Sequence, residues 1–387
     1  MLDKAEASPN LADVCACKSR LGLHHLRWNL SASVLGTLLG SVVVASGQPG
    51  SAPAPIGTKA VNVIVINFDP VLKTHDLLRL HQYLKWSDPW RLTEKMVEDA
   101  KLASKAYVDY RIVEKIEHDG FPVFGNGFQY TEATFLEMWE KDRSKADKGM
   151  TSFRWMFDKF DLPAKVKSKN VQEIWLWGAP YFSWDELHWK IPGDKVPFQT
   201  ENPWFYRPYD IPEVGRTIWI MGWNYERGEG EMLESYCHRI ESVLSLTLGK
   251  GVWEPKTVRD NIWNQFSRID RDWPGQSEVG TVHCAPNSKS DYDWGNTNLV
   301  WTYADDWLTY PRLPRQKKQL NAVTGGWAGI INHHRWYMAH LPHNPGVTDG
   351  FYNNWWQYIV NYDEAMAKLP PPGATFQKAK VAMYSQP

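Results

Sequence analysis

The residues that decide the fold are 217–248, TIWIMGWNYERGEGEMLESYCHRIESVLSLTL. Thr217 to Gly222 is apolar enough to read as a buried strand. From Glu231 onward the apolar residues switch to helical spacing. Met232, Leu233, Tyr236, Cys237, Ile240, Val243 and Leu244 make one face. Glu231, Glu234, His238 and Glu241 fall on a narrow stripe of the opposite face. Three carboxylates and an imidazole in one line repel unless a cation lies among them. A metal, an arginine or solvent counter-ions would each serve, and the sequence leaves all three open.

Working outward, Val61 to Phe68 (VNVIVINF) reads as a buried strand ended by Asp69-Pro70, and Trp90 to Ser104 as a helix. Tyr107 to Val113 and Glu173 to Trp177 read as further strands, the latter broken by Gly178-Ala179-Pro180. Tyr130 to Glu140, capped by Thr131, and Ser152 to Phe160 read as short helices. Ile191 to Pro212 reads as a long loop. This alternation predicts an α/β or α+β fold, a mixed sheet with packed helices and an aromatic-rich core. Residues 61–249 form the α/β domain with its glutamate-bearing helix. Residues 250–387 are a loop- and helix-rich portion of the same domain. There His283 to Asn298 reads as a loop, and Ile330 to Leu341 and Asn353 to Lys368 as helices.

The chain of 387 residues has a formal net charge of -1 and no basic block, which argues against a nucleic-acid partner. Its 22 tryptophans build either a large aromatic core or flat platforms for a sugar or peptide. Leu30 to Ala45 is apolar, preceded by Arg20 and Arg27 and followed by small residues, the layout of a signal peptide. Residues 1–47 are therefore read as an upstream extension with a signal peptide, and 48–60 as a linker. The expected location is secreted or periplasmic, with no membrane span in the mature chain. Cys237 and Cys284 would then meet oxidising conditions, and a Cys237–Cys284 disulfide is expected. Such a bridge would bring His283 near His238.

Glu234 and His238, at i and i+4, or His238 and Glu241, at i and i+3, can converge on one ion, with His283 as the third metal ligand. Glu241 is seven residues from Glu234, about 10 Å along the axis, so one ion cannot easily take both. Glu231 or Glu241 is left as a catalytic base, with Arg227 or Arg239 orienting or balancing the carboxylates. The alternative is that Glu231, Glu234 and Glu241 pair with Arg216, Arg227 and Arg239 on a solvated face.

The order of strands and helices over Val61 to Leu248, ending in a strand that feeds a helix with Glu-x-x-x-His, resembles the zincin metallopeptidases. The zincin pattern His-Glu-x-x-His falls on Glu234-Ser235-Tyr236-Cys237-His238, so Glu234 stands for the first histidine and Ser235 for the catalytic base. The resemblance implies a site for a divalent metal, with zinc the candidate, and peptidase chemistry only where Glu231 or Glu241 supplies the base from another turn.

A second constellation follows the Glu173 to Trp177 strand, where Trp184, Glu186 and Trp189 are candidates for substrate binding. Aromatic rings beside carboxylates suit a glycan, and Glu186 with Glu231 or Glu234 could form a glycosidase pair. Asp291 and Asp293 have the Asp-x-Asp start of a calcium loop, or cap an ordinary turn. His333 and His340 share a helix face and read as buried structural groups. No serine-hydrolase elbow or nucleotide-binding loop is present. The expected function is an exported, metal-dependent hydrolase. The alternatives are a tryptophan-rich glycan-binding or glycan-cleaving protein, and an inactive zincin-like scaffold that binds a partner.

Overall fold

The computed structural model describes residues 57–198, 210–251 and 261–379. The upstream extension, the apolar run and most of the linker lie outside the described residues, as do positions 199–209 of the long loop. No described helix is long and apolar enough to cross a membrane.

Five strands form one mixed sheet: β1 (Lys59–Phe68), β2 (Val108–His118), β3 (Val171–Gly178), β4 (Leu187–Lys190) and β5 (Ile218–Asn224). Their order across the sheet is β2-β1-β3-β5-β4. β1 lies parallel to β2 and β3, and β3 lies parallel to β5. The short β4 runs antiparallel along β5. The inner strands β1, β3 and β5 are buried almost throughout, as expected when both faces of a parallel sheet are covered.

Three helices matter for the site. In α1 (Pro89–Ala103), Asp88 caps the first turn by accepting from the Trp90 and Arg91 amides, and Pro89 opens it. α2 (Gly228–Thr247) follows β5 after a short turn, and α3 (Ile330–Ala339) packs against it. The expected apolar arc of α2 is buried, with Leu233, Tyr236, Ile240, Val243 and Leu244 fully covered. Arg239 is also fully buried on that helix. Its guanidinium lies 2.6 Å from the Glu173 carboxylate of β3, which also accepts from Tyr110 and Trp175. Arg239 thus neutralises a core carboxylate, not the acidic stripe.

The structure departs from the expected elements in three places. β2 runs to His118, beyond the expected end at Val113. The edge strand β4 is too short to show periodicity, and is defined by its pairing with β5. The helix expected from Asn353 to Lys368 is a strand (Phe351–Asn354) and two helices (Trp356–Val360 and Tyr362–Lys368) separated by Asn361.

Candidate metal centre

The stripe on α2 is real and half-covered: Glu234 is buried, while Glu231, His238 and Glu241 are partly so. His283 reaches it from the loop expected between His283 and Asn298. The His238 Nε2 and His283 Nε2 atoms are 3.0 Å apart. Glu234 Oε1 lies 3.3 Å from His283 Nε2 and 3.9 Å from His238 Nε2. Among the described residues, these three form the one group of His, Cys, Asp and Glu side chains placed to hold a metal ion. A circle through three atoms with those separations has a radius of about 2.0 Å, the length of a zinc–nitrogen or zinc–oxygen bond.

Each ligand is aimed by a neighbour. His238 Nδ1 lies 3.2 Å from Glu241 Oε2, while Glu241 Oε1 accepts from the Val282 amide at 2.9 Å. Glu241 therefore sets the orientation of His238 instead of facing the ion position. His333, fully buried on α3, lies with its Nε2 2.9 Å from the Val282 carbonyl oxygen and 3.0 Å from that of Thr281. Its ring stacks on Trp294. The structural role expected for His333 thus acts on the loop that carries His283.

The charges of the stripe are partly cancelled by protons. Burial is the main cause raising the Glu231 carboxyl to about 7; Arg227 opposes it, and Glu234 and Glu186 add to it. For Glu234 burial acts upward, but hydrogen bonds with His283 and Glu231 outweigh it and hold the carboxyl at about 2. Burial also works against a charged His238, yet Glu241, Glu186 and Glu234 together lift it to about 9.

Glu186 lies on the loop before β4, with its Oε2 4.0 Å from His238 Nε2. Gly222 makes this approach possible, because a Cβ there would overlap the Asp185 carbonyl oxygen and the Trp184 ring. Its amide donates to the Glu186 carbonyl at 3.0 Å. A pocket of about 140 Å³ beside the triad is lined by Tyr181, Trp184, Glu186, Arg227, Glu231 and Ser235. Tyr181 and Ser183, also in its lining, have left-handed backbones with φ of 64° and 57°. On the other side a pocket of about 220 Å³ is lined by His238, Glu241, Trp263, Arg271 and His283.

The remaining expected residues fall as follows. Arg227 precedes α2, with Nη2 3.8 Å from Glu231 Oε2. Trp189 packs on Trp219 and lines neither pocket. Asp293 accepts from the Lys289 amide and the Asn296 side chain, closing a turn, and Asp291 lies 3.3 Å from Cys284 Sγ. The expected calcium pair therefore serves turn and thiol contacts. Tyr292 between them, which sequence reasoning passed over, places its hydroxyl 3.3 Å from His283 Nε2.

The expected disulfide is absent: Cys237 and Cys284 are both free and buried. One residue along a helix turns the side chain by about 100°. Cys237 therefore faces α3, near the His334 carbonyl oxygen, while its neighbour His238 faces the loop. Burial and the nearby Asp291 push the Cys284 thiol up to about 12. His283 reaches His238 without the covalent link that suggested it.

Comparison with known protein families, curated proteins and solved structures returned no match.

Proposed function

We propose that this chain is an exported, metal-dependent hydrolase whose zinc ion is held by Glu234 Oε1, His238 Nε2 and His283 Nε2. The observation that carries the proposal is the triangle of ligand atoms, whose size suits bonds of about 2 Å. Two histidines and one glutamate are a donor set found in catalytic zinc sites, which leave a further position open. A zinc ion there would supply Lewis acidity between the two pockets.

The chain's own groups fit such chemistry. Glu231, near 7, takes or gives a proton at working pH from the pocket wall. It stands in for the base that Ser235 cannot be, since a neutral serine hydroxyl does not take a proton as a carboxylate does, and this one is turned back to the Glu231 carbonyl oxygen. Arg227 balances Glu231 when it is charged. Glu186 and Tyr292 flank the ion position and are placed to orient a peptide substrate. The parallel sheet with its antiparallel edge beside α2 supports a zincin-like reading of the layout. Elemental analysis of purified protein, with and without Glu234→Ala, tests the proposal. One zinc per chain in the wild type and none in the variant is expected; a wild type that binds no divalent metal ends it.

A second reading has its own observation: Glu186 and Glu231 line one pocket with Tyr181 and Trp184. A carboxyl held protonated opposite a second carboxylate suits glycoside cleavage. Polysaccharide hydrolysis that survives a chelator and is lost in Glu186→Gln would favour it. Export rests on the Leu30 to Ala45 run. N-terminal sequencing of protein from the culture medium tests it, and recovery only of chain retaining Met1 inside cells would refute it.

A further inference from the structure

Resting on the metal site proposed above, we infer that Glu241 and His333 are positioning residues that grip the Thr281–Val282 peptide from its two sides, and so set the affinity for the ion. The two histidine ligands come from separate elements. His238 is fixed along α2, whereas His283 belongs to a loop whose place depends on what holds it. Glu241 on α2 uses one oxygen for the His238 ring and the other for the Val282 amide. A single carboxylate thereby locks the rotation of one ligand to the position of the backbone that carries the other.

His333 completes the grip from α3. Its Nε2–H is shared between the carbonyl oxygens of Thr281 and Val282, so the Thr281–Val282 peptide is held at both its N–H and its carbonyl oxygen, and the next peptide, which leads to His283, at its carbonyl oxygen. Full burial favours the neutral ring, the two carbonyl oxygens require its proton on Nε2, and the Trp294 ring stacks on the imidazole. Residue 283 is the next one along. A shift of the Val282 peptide by a few tenths of an ångström would move the His283 Nε2 out of the triangle. Groups that orient metal ligands in this way typically alter metal affinity by 10–100-fold when changed.

The test uses the full chain and Zn²⁺ in competition with a chromophoric chelator. Glu241→Gln keeps the volume of the side chain, but one of its two polar atoms is now a donor, so the remaining oxygen can serve only one of the His238 Nδ1–H and the Val282 amide. His333→Phe keeps a ring against Trp294 but removes the shared donor. Each is expected to weaken zinc binding by 10–100-fold while keeping a stoichiometry of one, and to shift the melting temperature of the chelator-treated protein by no more than about 3 °C. A larger loss of stability without metal, or failure to fold, would make the grip a structural feature and overturn the inference. Unchanged zinc affinity in both variants would overturn it as well. Glu234→Ala separates the two levels. If it abolishes binding while Glu241→Gln and His333→Phe do not weaken it, the metal site stands and the positioning role falls. If Glu234→Ala and wild type behave alike, the metal site itself is refuted.

Discussion

Glu231 and Glu234 lie one turn apart on α2, yet their carboxyls are driven to about 7 and about 2. The difference comes from partners. Glu234 faces the two imidazoles, whereas Glu231 faces a pocket wall and the charge of Glu234. Near neutral pH Glu231 shares a proton with its surroundings, the condition a general base needs. Glu231→Gln mimics the protonated side chain, so melting temperature and zinc stoichiometry should be retained. Hydrolysis should fall by roughly 10²–10⁴-fold. Wild-type turnover in that variant, measured on a peptide mixture, would remove Glu231 from the chemistry. Arg239 gives the contrasting case of a charge with no place in the site. It is fully buried, bonded to Glu173 and to the Ile359 carbonyl oxygen. Arg239→Ala should cost about 3–5 kcal/mol, because it leaves the Glu173 carboxylate buried alone. Urea unfolding that shows a loss below about 1 kcal/mol would contradict this.

At the scale of elements, α2 has two faces with separate duties. Leu233 lies in the middle of the covered face and has no exposure. Leu233→Ala should cost roughly 2–5 kcal/mol through the cavity it leaves. Zinc binding at low temperature, where the variant stays folded, should be close to that of the wild type. A selective loss of zinc binding with normal stability would mean that the two faces are not independent. Between β5 and the loop before β4, Gly222 sits where no Cβ fits. Gly222→Ala must push the Asp185 carbonyl and Trp184 outward, and with them Glu186. The expected result is a lowered melting temperature together with reduced hydrolysis. A variant with unaltered stability and rate would show that the loop has slack the structure does not display.

For the whole molecule, acid is the expected weakness. His188 and His334 are lowered to about 3 and His333 to about 4, in each case chiefly by burial. Their folded values lie below the unfolded value near 6.5, so from pH 6.5 downward the unfolded chain binds protons that the folded chain refuses. Glu231 works the other way, since the folded chain keeps its proton between 4.5 and about 7. Three histidines set against Glu231, and against His238, which the folded chain keeps protonated up to about 9, leave the unfolded chain a proton surplus that grows from near zero at pH 6.5 to about two at pH 5. Stability should therefore fall by roughly 1–2 kcal/mol between pH 6.5 and 5.5, and more steeply below. Chemical unfolding at pH 6.5 and 5.5 checks the slope, and a flat or rising profile on acidification would refute it. Within the folded chain His188 accepts from the Asp185 amide, so its protonation also loosens the turn that carries Glu186.

What the sequence determined by itself was everything written in short-range periodicity. The apolar runs of β1, β3 and β5, the amphipathic arc of α2 and the stripe opposite it follow from spacing along one chain segment. So does the pairing of Glu234 with His238, because a helix places i and i+4 side by side whatever surrounds it. Only the tertiary structure decided which groups from distant segments meet. It brought His283 to the stripe through hydrogen bonds to the Val282 peptide, although sequence reasoning had reached the same neighbour through a disulfide that is not formed. It turned Arg239 into the core, and it made Glu241 a support for His238. It assigned His333 to the loop, and placed Glu186 and Tyr292 beside the triad. These outcomes depend on burial, on the direction of single side chains and on the pairing of the four-residue strand β4, none of which leaves a period in the sequence.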